Sequence, residues 1–155
     1  MSSVSTRAIS TPSQPGMAAP KPATAAQPVA LYTPAAIGWI AFFCTLPAGF
    51  VLAALNYRRA GQGGRGLFHL AGAFVTLGLL GLLIGDAGAL RGVLGLALEI
   101  AGIAYLVRDT RAMRRACRAT IGVYDASSTN ALFIGIAVLI ATLALMVWYV
   151  GRVIG

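Results

Sequence analysis

The amino-acid sequence predicts an all-α, polytopic membrane protein: four transmembrane helices behind a disordered N-terminal tail. Three observations predict it. Charged residues make up 10% of the 155-residue chain and hydrophobic ones 58%, whereas a soluble domain carries roughly 25% charged residues. Apolar runs at about 35–56, 67–84, 89–107 and 131–150 alternate with polar or glycine-rich stretches. The densest charge, Arg108-Asp-Thr-Arg111-Ala-Met-Arg114-Arg115-Ala-Cys-Arg118, lies between the last two runs, and such a stretch cannot enter hydrocarbon.

Residues 1–33 are rich in Ser, Thr, Ala, Pro and Gln and have no apolar period. Such a tail cannot bury enough surface to offset its chain entropy, so disorder is expected. It has a basic residue, Arg7, but not the apolar core of a secretory signal. Residues 34–155 form the expected transmembrane domain. Its first run, Ala35 to Leu55, is free of charge, and roughly 20 residues at 1.5 Å each cross a hydrocarbon core of roughly 30 Å. Pro47 inside it predicts a kink. Asn56-Tyr-Arg58-Arg59 ends it. The loop Gly61-Gln-Gly63-Gly64-Arg65-Gly66 matches GxGxxG, but that fingerprint needs a preceding strand in a βαβ unit, so a dinucleotide site is excluded and a tight turn expected.

The second run carries His69 near its start and Thr76 near its middle. Gly85-Asp86-Ala-Gly88 turns the chain into the third, which holds Arg91 near one end and Glu99 well inside. The polar stretch Asp125 to Asn130 suits an N-cap for the last run, which Gly151-Arg152 closes. Arg58, Arg59, Arg65, Arg108, Arg111, Arg114, Arg115 and Arg118 fall in the first and third connections; Arg7, Lys21, Arg91 and Arg152 fall elsewhere. The positive-inside rule then puts both basic loops in the cytoplasm and both termini outside. Trp39, Trp148 and Tyr149 are expected at the outer interface and Tyr57 at the inner one.

Glycines at Gly78, Gly81, Gly85, Gly88, Gly92, Gly95 and Gly102 recur at helical spacing, with Glu99 in the same seam. Small residues on one face let helices approach closely, so the second and third helices are expected to pack as a tight hairpin. Arg108, Arg111, Arg114, Arg115 and Arg118 share one helical face, opposite Ala112, Met113, Ala116 and Cys117. Anionic headgroups at the cytoplasmic face are the partner this face suits, the alternative being a solvated loop that only orients the protein. His69 is expected to cap or pack near that face. Glu99, with Thr45, Thr76 and Thr142 at similar depth, is the intramembrane polar candidate, because an acid in hydrocarbon is costly and marks function by default.

No nucleophile elbow, metal-ligand spacing, P-loop or paired carboxylates appear, so neither catalysis, metal nor cofactor is expected. The arginines sit between apolar runs and leave no free basic face for a nucleic-acid backbone. Cys44 and Cys117 lie in different environments and are expected to act as small apolar residues.

Leu46-Pro-Ala-Gly-Phe-Val-Leu-Ala-Ala-Leu-Asn-Tyr-Arg-Arg-Ala-Gly61 resembles a pattern in small uncharacterised bacterial inner-membrane proteins. There an apolar Pro-x-Gly helix ends in Asn, paired basic residues and a glycine. The resemblance implies a bacterial inner-membrane setting and no particular activity. Small multidrug transporters also carry four helices and a membrane glutamate, but theirs lies in the first helix and Glu99 in the third. The expected function is therefore a non-enzymatic helix-packing module or accessory subunit in the bilayer, partnered by copies of itself or a larger membrane complex. The alternative is a proton- or solute-coupled carrier using Glu99.

Overall fold

Thr45 divides what the sequence presents as one apolar run. In the computed structural model, which describes residues 27–84 and 89–154, the elements are β1 (Val29–Leu31), α1 (Pro34–Phe43), α2 (Leu46–Arg59), α3 (Gly63–Ile84), α4 (Ala89–Thr120), β2 (Val123–Asp125) and α5 (Ser128–Ile154). Helix dominates, as expected. β1 and β2 add a two-stranded parallel ribbon with Val29 opposite Val123 and Leu31 opposite Asp125. The expected disorder over residues 1–33 is corrected at its end, where β1 is paired and Tyr32 buried; residues 1–26 lie outside the described residues.

The break has a local cause. Thr45 is extended (φ 163°, ψ 155°) and Pro47 falls in the first turn of α2, where its missing N–H is not needed. Proline here starts a new helix instead of kinking an old one. At 1.5 Å per residue, α1 and α2 are roughly 15 and 21 Å long, too short for a hydrocarbon core of roughly 30 Å. Among the described residues two helices are long and apolar enough to cross a membrane, Gly63–Leu80 and Ser128–Tyr149. The expectation of four spans is corrected accordingly. The third run does not form an element of its own, because α4 continues through the whole basic stretch for 32 residues.

α1 and α2 fold back on each other as a helical hairpin, with α3, α4 and α5 packed around it. Ile37, Ala41, Leu52, Ala53 and Leu106 are fully covered at its centre. Glycine sets the approach. A Cβ on Gly49 would stand 2.6 Å from the Ala41 Cβ, and one on Gly135 2.6 Å from Ile40 Cγ2, so a methyl group would clash at both. Gly72 likewise faces the Phe50 ring. The glycine seam expected between α3 and α4 is corrected. Among the described residues nothing lies within 4 Å of a Cβ on Gly78 or Gly92, and Gly102 packs on Leu46 of α2. Gly95 is half-buried on α4; the surroundings of Gly81, Gly85 and Gly88 lie outside the described residues. Small residues do mediate close packing here, but around the hairpin.

The fold-back also moves the chain's entry. Leu31 and Tyr32 sit beside Arg114 and Asn56, so the segment before α1 lies at the same end as both basic connections, not at the opposite end. Trp39, one turn into α1, lies beside Val107 and Arg111 rather than grouping with Trp148, which receives the Arg152 guanidinium 5.6 Å from its ring.

Candidate functional site

Asn56, His69, Thr110 and Arg114, all buried, lie toward the basic end, where both ends of the hairpin meet α3, α4 and β2. Asn56 is fully buried on the last turn of α2. Its Oδ1 accepts from the Tyr32 N–H at 2.8 Å, and its Nδ2 donates to the Tyr32 carbonyl at 3.0 Å. Tyr32 falls between β1 and α1, where neither ladder nor helix supplies partners. The Asn56 amide supplies both, acting as a substitute strand neighbour. Arg59, one turn on, sits 4.7 Å from the Tyr32 ring centroid and donates to its hydroxyl. Gly61, at φ 75°, then ends α2 in the left-handed conformation that glycine adopts without strain.

Tyr57 points the other way, into a cluster with His69 and Asp109. Its hydroxyl donates to Asp109 Oδ2 at 2.6 Å. His69 Nε2 lies 3.0 Å from the same oxygen, yet no aligned N–H···O hydrogen bond forms. His69 Nδ1 lies 2.9 Å from the Arg65 carbonyl. Both ring nitrogens thus lie close to oxygens, but only Nδ1 makes a hydrogen bond among the described residues. The ring is stacked on Tyr57 at 4.8 Å and flanked by Tyr105 at 6.1 Å. Burial first, then Asp109, hold the Tyr57 phenol above its ordinary range, against a smaller opposing effect of Arg65. Tyr57 therefore remains a donor. The cluster ties α2, α3 and α4 together through polar side chains.

The arginine face divides. Arg108, Arg111, Arg115 and Arg118 are exposed as expected, whereas Arg114 is buried. Arg114 donates to the Leu31 carbonyl at 2.9 Å and pairs with Asp125, fastening α4 to the ribbon. Its place on a lipid-facing surface is corrected. The apolar side of this part of α4 is Leu106, Met113 and Cys117; Ala112 and Ala116 are exposed.

The intramembrane candidates do not come together. Thr76 and Thr142 turn their hydroxyls onto their own helices, to the Gly72 and Val138 carbonyls at 2.9 and 2.8 Å. Thr45 sits at the hairpin tip with its hydroxyl buried and without a partner among the described residues. Glu99 is half-buried in the apolar half of α4. Cys44 and Cys117 are both free and buried, one in each of the two apolar clusters. No group of three metal-ligating side chains occurs among the described residues.

Sequence reading placed His69 near the basic end but missed its partners. Asp109 was legible: it lies about 160° around the helix from Arg111 and so faces away from the exposed arginines. The partners of Asn56 were not, because they are backbone groups brought close only by the hairpin. No family model, curated protein or solved structure matches the chain.

Proposed function

We propose that this chain is an integral membrane protein and acts as a non-enzymatic module, a helix-packing unit or accessory subunit. One observation carries the reading: large apolar side chains point outward along the three longest helices. Phe74 and Val75 on α3, Val93 and Ile100 on α4, and Phe133, Ile140 and Val147 on α5 are all exposed. Each such side chain is worth about 1.5–3 kcal/mol on leaving water, so a bilayer is the medium that suits this surface. The hairpin then enters from the basic face and returns to it. α3 and α5 cross outward, and joining them requires the apolar half of α4 to cross back, a third crossing beyond the two helices that are long and apolar enough by themselves. The non-helical backbone at Cys44–Thr45 is tolerable at that depth because protein covers it.

Exposed arginines crowd one end, so that end is cytoplasmic in this reading, in keeping with the resemblance to bacterial inner-membrane proteins. The segment before α1 lies inside and the end of α5 outside. Alkaline carbonate washing tests membrane integration: the chain is expected to stay in the pellet, and release into the supernatant contradicts it. Mild detergent extraction followed by native electrophoresis tests the module reading, which expects a species heavier than one chain.

A second reading rests on Glu99, a half-buried carboxyl in an apolar stretch of helix, since such acids mark proton or solute paths. It expects pH-dependent flux in proteoliposomes that Glu99→Gln abolishes.

A further inference from the structure

Two grooves meet between α1 and α4. The first, about 590 Å³, is lined by Arg111, Arg114, Arg115 and Arg118 of α4 with Thr33 and Pro34 at the start of α1. Among the described residues Asp125 is the one carboxylate lining it, and it is paired with Arg114. Arg111, Arg115 and Arg118 therefore carry positive charge that no acid in the groove offsets. The start of α1 adds the positive end of a helix dipole. The second groove, about 340 Å³, runs on from it between Gly38, Trp39 and Phe42 of α1 and Ile103 and Val107 of α4, sharing Pro34 and Arg111 with the first.

One stripe of α4 makes both. Ile103, Val107, Arg111, Arg115 and Arg118 follow at spacings of four, four, four and three, which keeps them on one face. The stripe changes from apolar to basic at Arg111. From Ile103 to Arg111 is roughly 12 Å of helix, close to the depth of one leaflet, about 15 Å. On the α1 side, Trp39 is 63% and Phe42 56% exposed, so the apolar groove has aromatic walls and an open top. Gly38 forms its floor: a Cβ there would stand 3.0 Å from Val107 Cγ2.

We infer that this composite groove binds one anionic glycerophospholipid, its phosphate on Arg111, Arg115 and Arg118 and an acyl chain laid between α1 and α4. Guanidinium forks match phosphate oxygens in pairs, and the apolar continuation is what a free anion does not need. The inference rests on the membrane reading above and goes further, since it separates one seated lipid from a diffuse headgroup layer. Arg108 is exposed on the same helix but does not line the groove, and so reports the diffuse case.

The full-length protein, purified in detergent, is titrated with dioleoyl phosphatidylglycerol or dioleoyl phosphatidylcholine and examined by native mass spectrometry. One phosphatidylglycerol is expected to survive per chain, and no phosphatidylcholine. Arg111→Gln and Arg115→Gln each weaken retention roughly fivefold, the equivalent of about 1 kcal/mol per basic residue; Arg108→Gln leaves it unchanged. Ala35→Trp, an exposed change that fills the apolar groove, abolishes retention with the melting temperature unaltered. Inorganic phosphate in excess does not displace the lipid. Equal retention of the two lipids, an Arg108→Gln effect as large as that of Arg111→Gln, or displacement by phosphate alone each overturns the lipid site. Release of the wild-type chain by carbonate is a separate result and overturns the membrane reading instead.

Discussion

The side-chain amide of Asn56 pairs with both backbone polar groups of Tyr32, 24 residues earlier. This clasp joins the end of α2 to the entry of α1 and closes the hairpin at its base. Asn56→Leu leaves a buried N–H and a buried carbonyl without partners, at about 1–3 kcal/mol each. Asn56→Asp keeps the acceptor and loses the donor, so it costs less than leucine if the carboxyl takes up a proton and more if it stays charged. Thermal unfolding in detergent measures both, and a leucine variant as stable as wild type contradicts the clasp.

Glycine substitutions sort the helix interfaces. Gly49→Ala and Gly135→Ala place a methyl group against Ala41 and Ile40, and overpacking of this kind typically costs about 1–3 kcal/mol. Gly78→Ala and Gly92→Ala meet nothing within 4 Å among the described residues and are expected to be neutral or to stabilise by up to about 1 kcal/mol through helix propensity. A seam between α3 and α4 requires the reverse order of unfolding temperatures.

Alkaline titration reads Tyr57. Its phenol is held above the ordinary value of 10.0 by burial and by Asp109, so it ionises at lower pH in the unfolded chain than in the folded one. Its contribution to stability is complete below pH about 10, and falls as pH rises from there toward the folded value. Unfolding temperatures measured from about pH 9 to 11 are expected to decline above about pH 10, less steeply in Tyr57→Phe. An identical slope in the variant removes Tyr57 as its source.

Much of this was legible in the residues. The apolar runs, the helical character and the exposure of Arg108, Arg111, Arg115 and Arg118 follow from composition and from a period of 3.6. The hairpin was not legible. A run such as Ala35 to Leu55 has the length and apolarity of a span, and only Thr45-Leu-Pro47 marks its break. Proline in a helix reads as a kink unless the helix is known to restart there. A sequence that hides this break puts the entry segment opposite the basic connections and reads β1 as part of a disordered tail. The Tyr57–His69–Asp109 cluster was hidden for a related reason. Its members lie 12 and 40 residues apart on three helices, and only the packing of α2 between α3 and α4 joins them. Arg114 is one of two adjacent arginines, and no pattern separates it from Arg115 until Asp125 and Leu31 are placed.

The most direct test of the hairpin is which side of the membrane its two ends face. Single cysteines are introduced by Gln27→Cys, Gly63→Cys and Gly151→Cys, all exposed positions, in a chain without Cys44 and Cys117. Each is labelled with a membrane-impermeant maleimide, in intact cells and in inverted vesicles. The fold-back predicts that positions 27 and 63 label from the same side and position 151 from the other. Labelling of positions 27 and 63 from opposite sides would mean that Ala35 to Leu55 crosses the membrane as one span, and the re-entrant hairpin would fall.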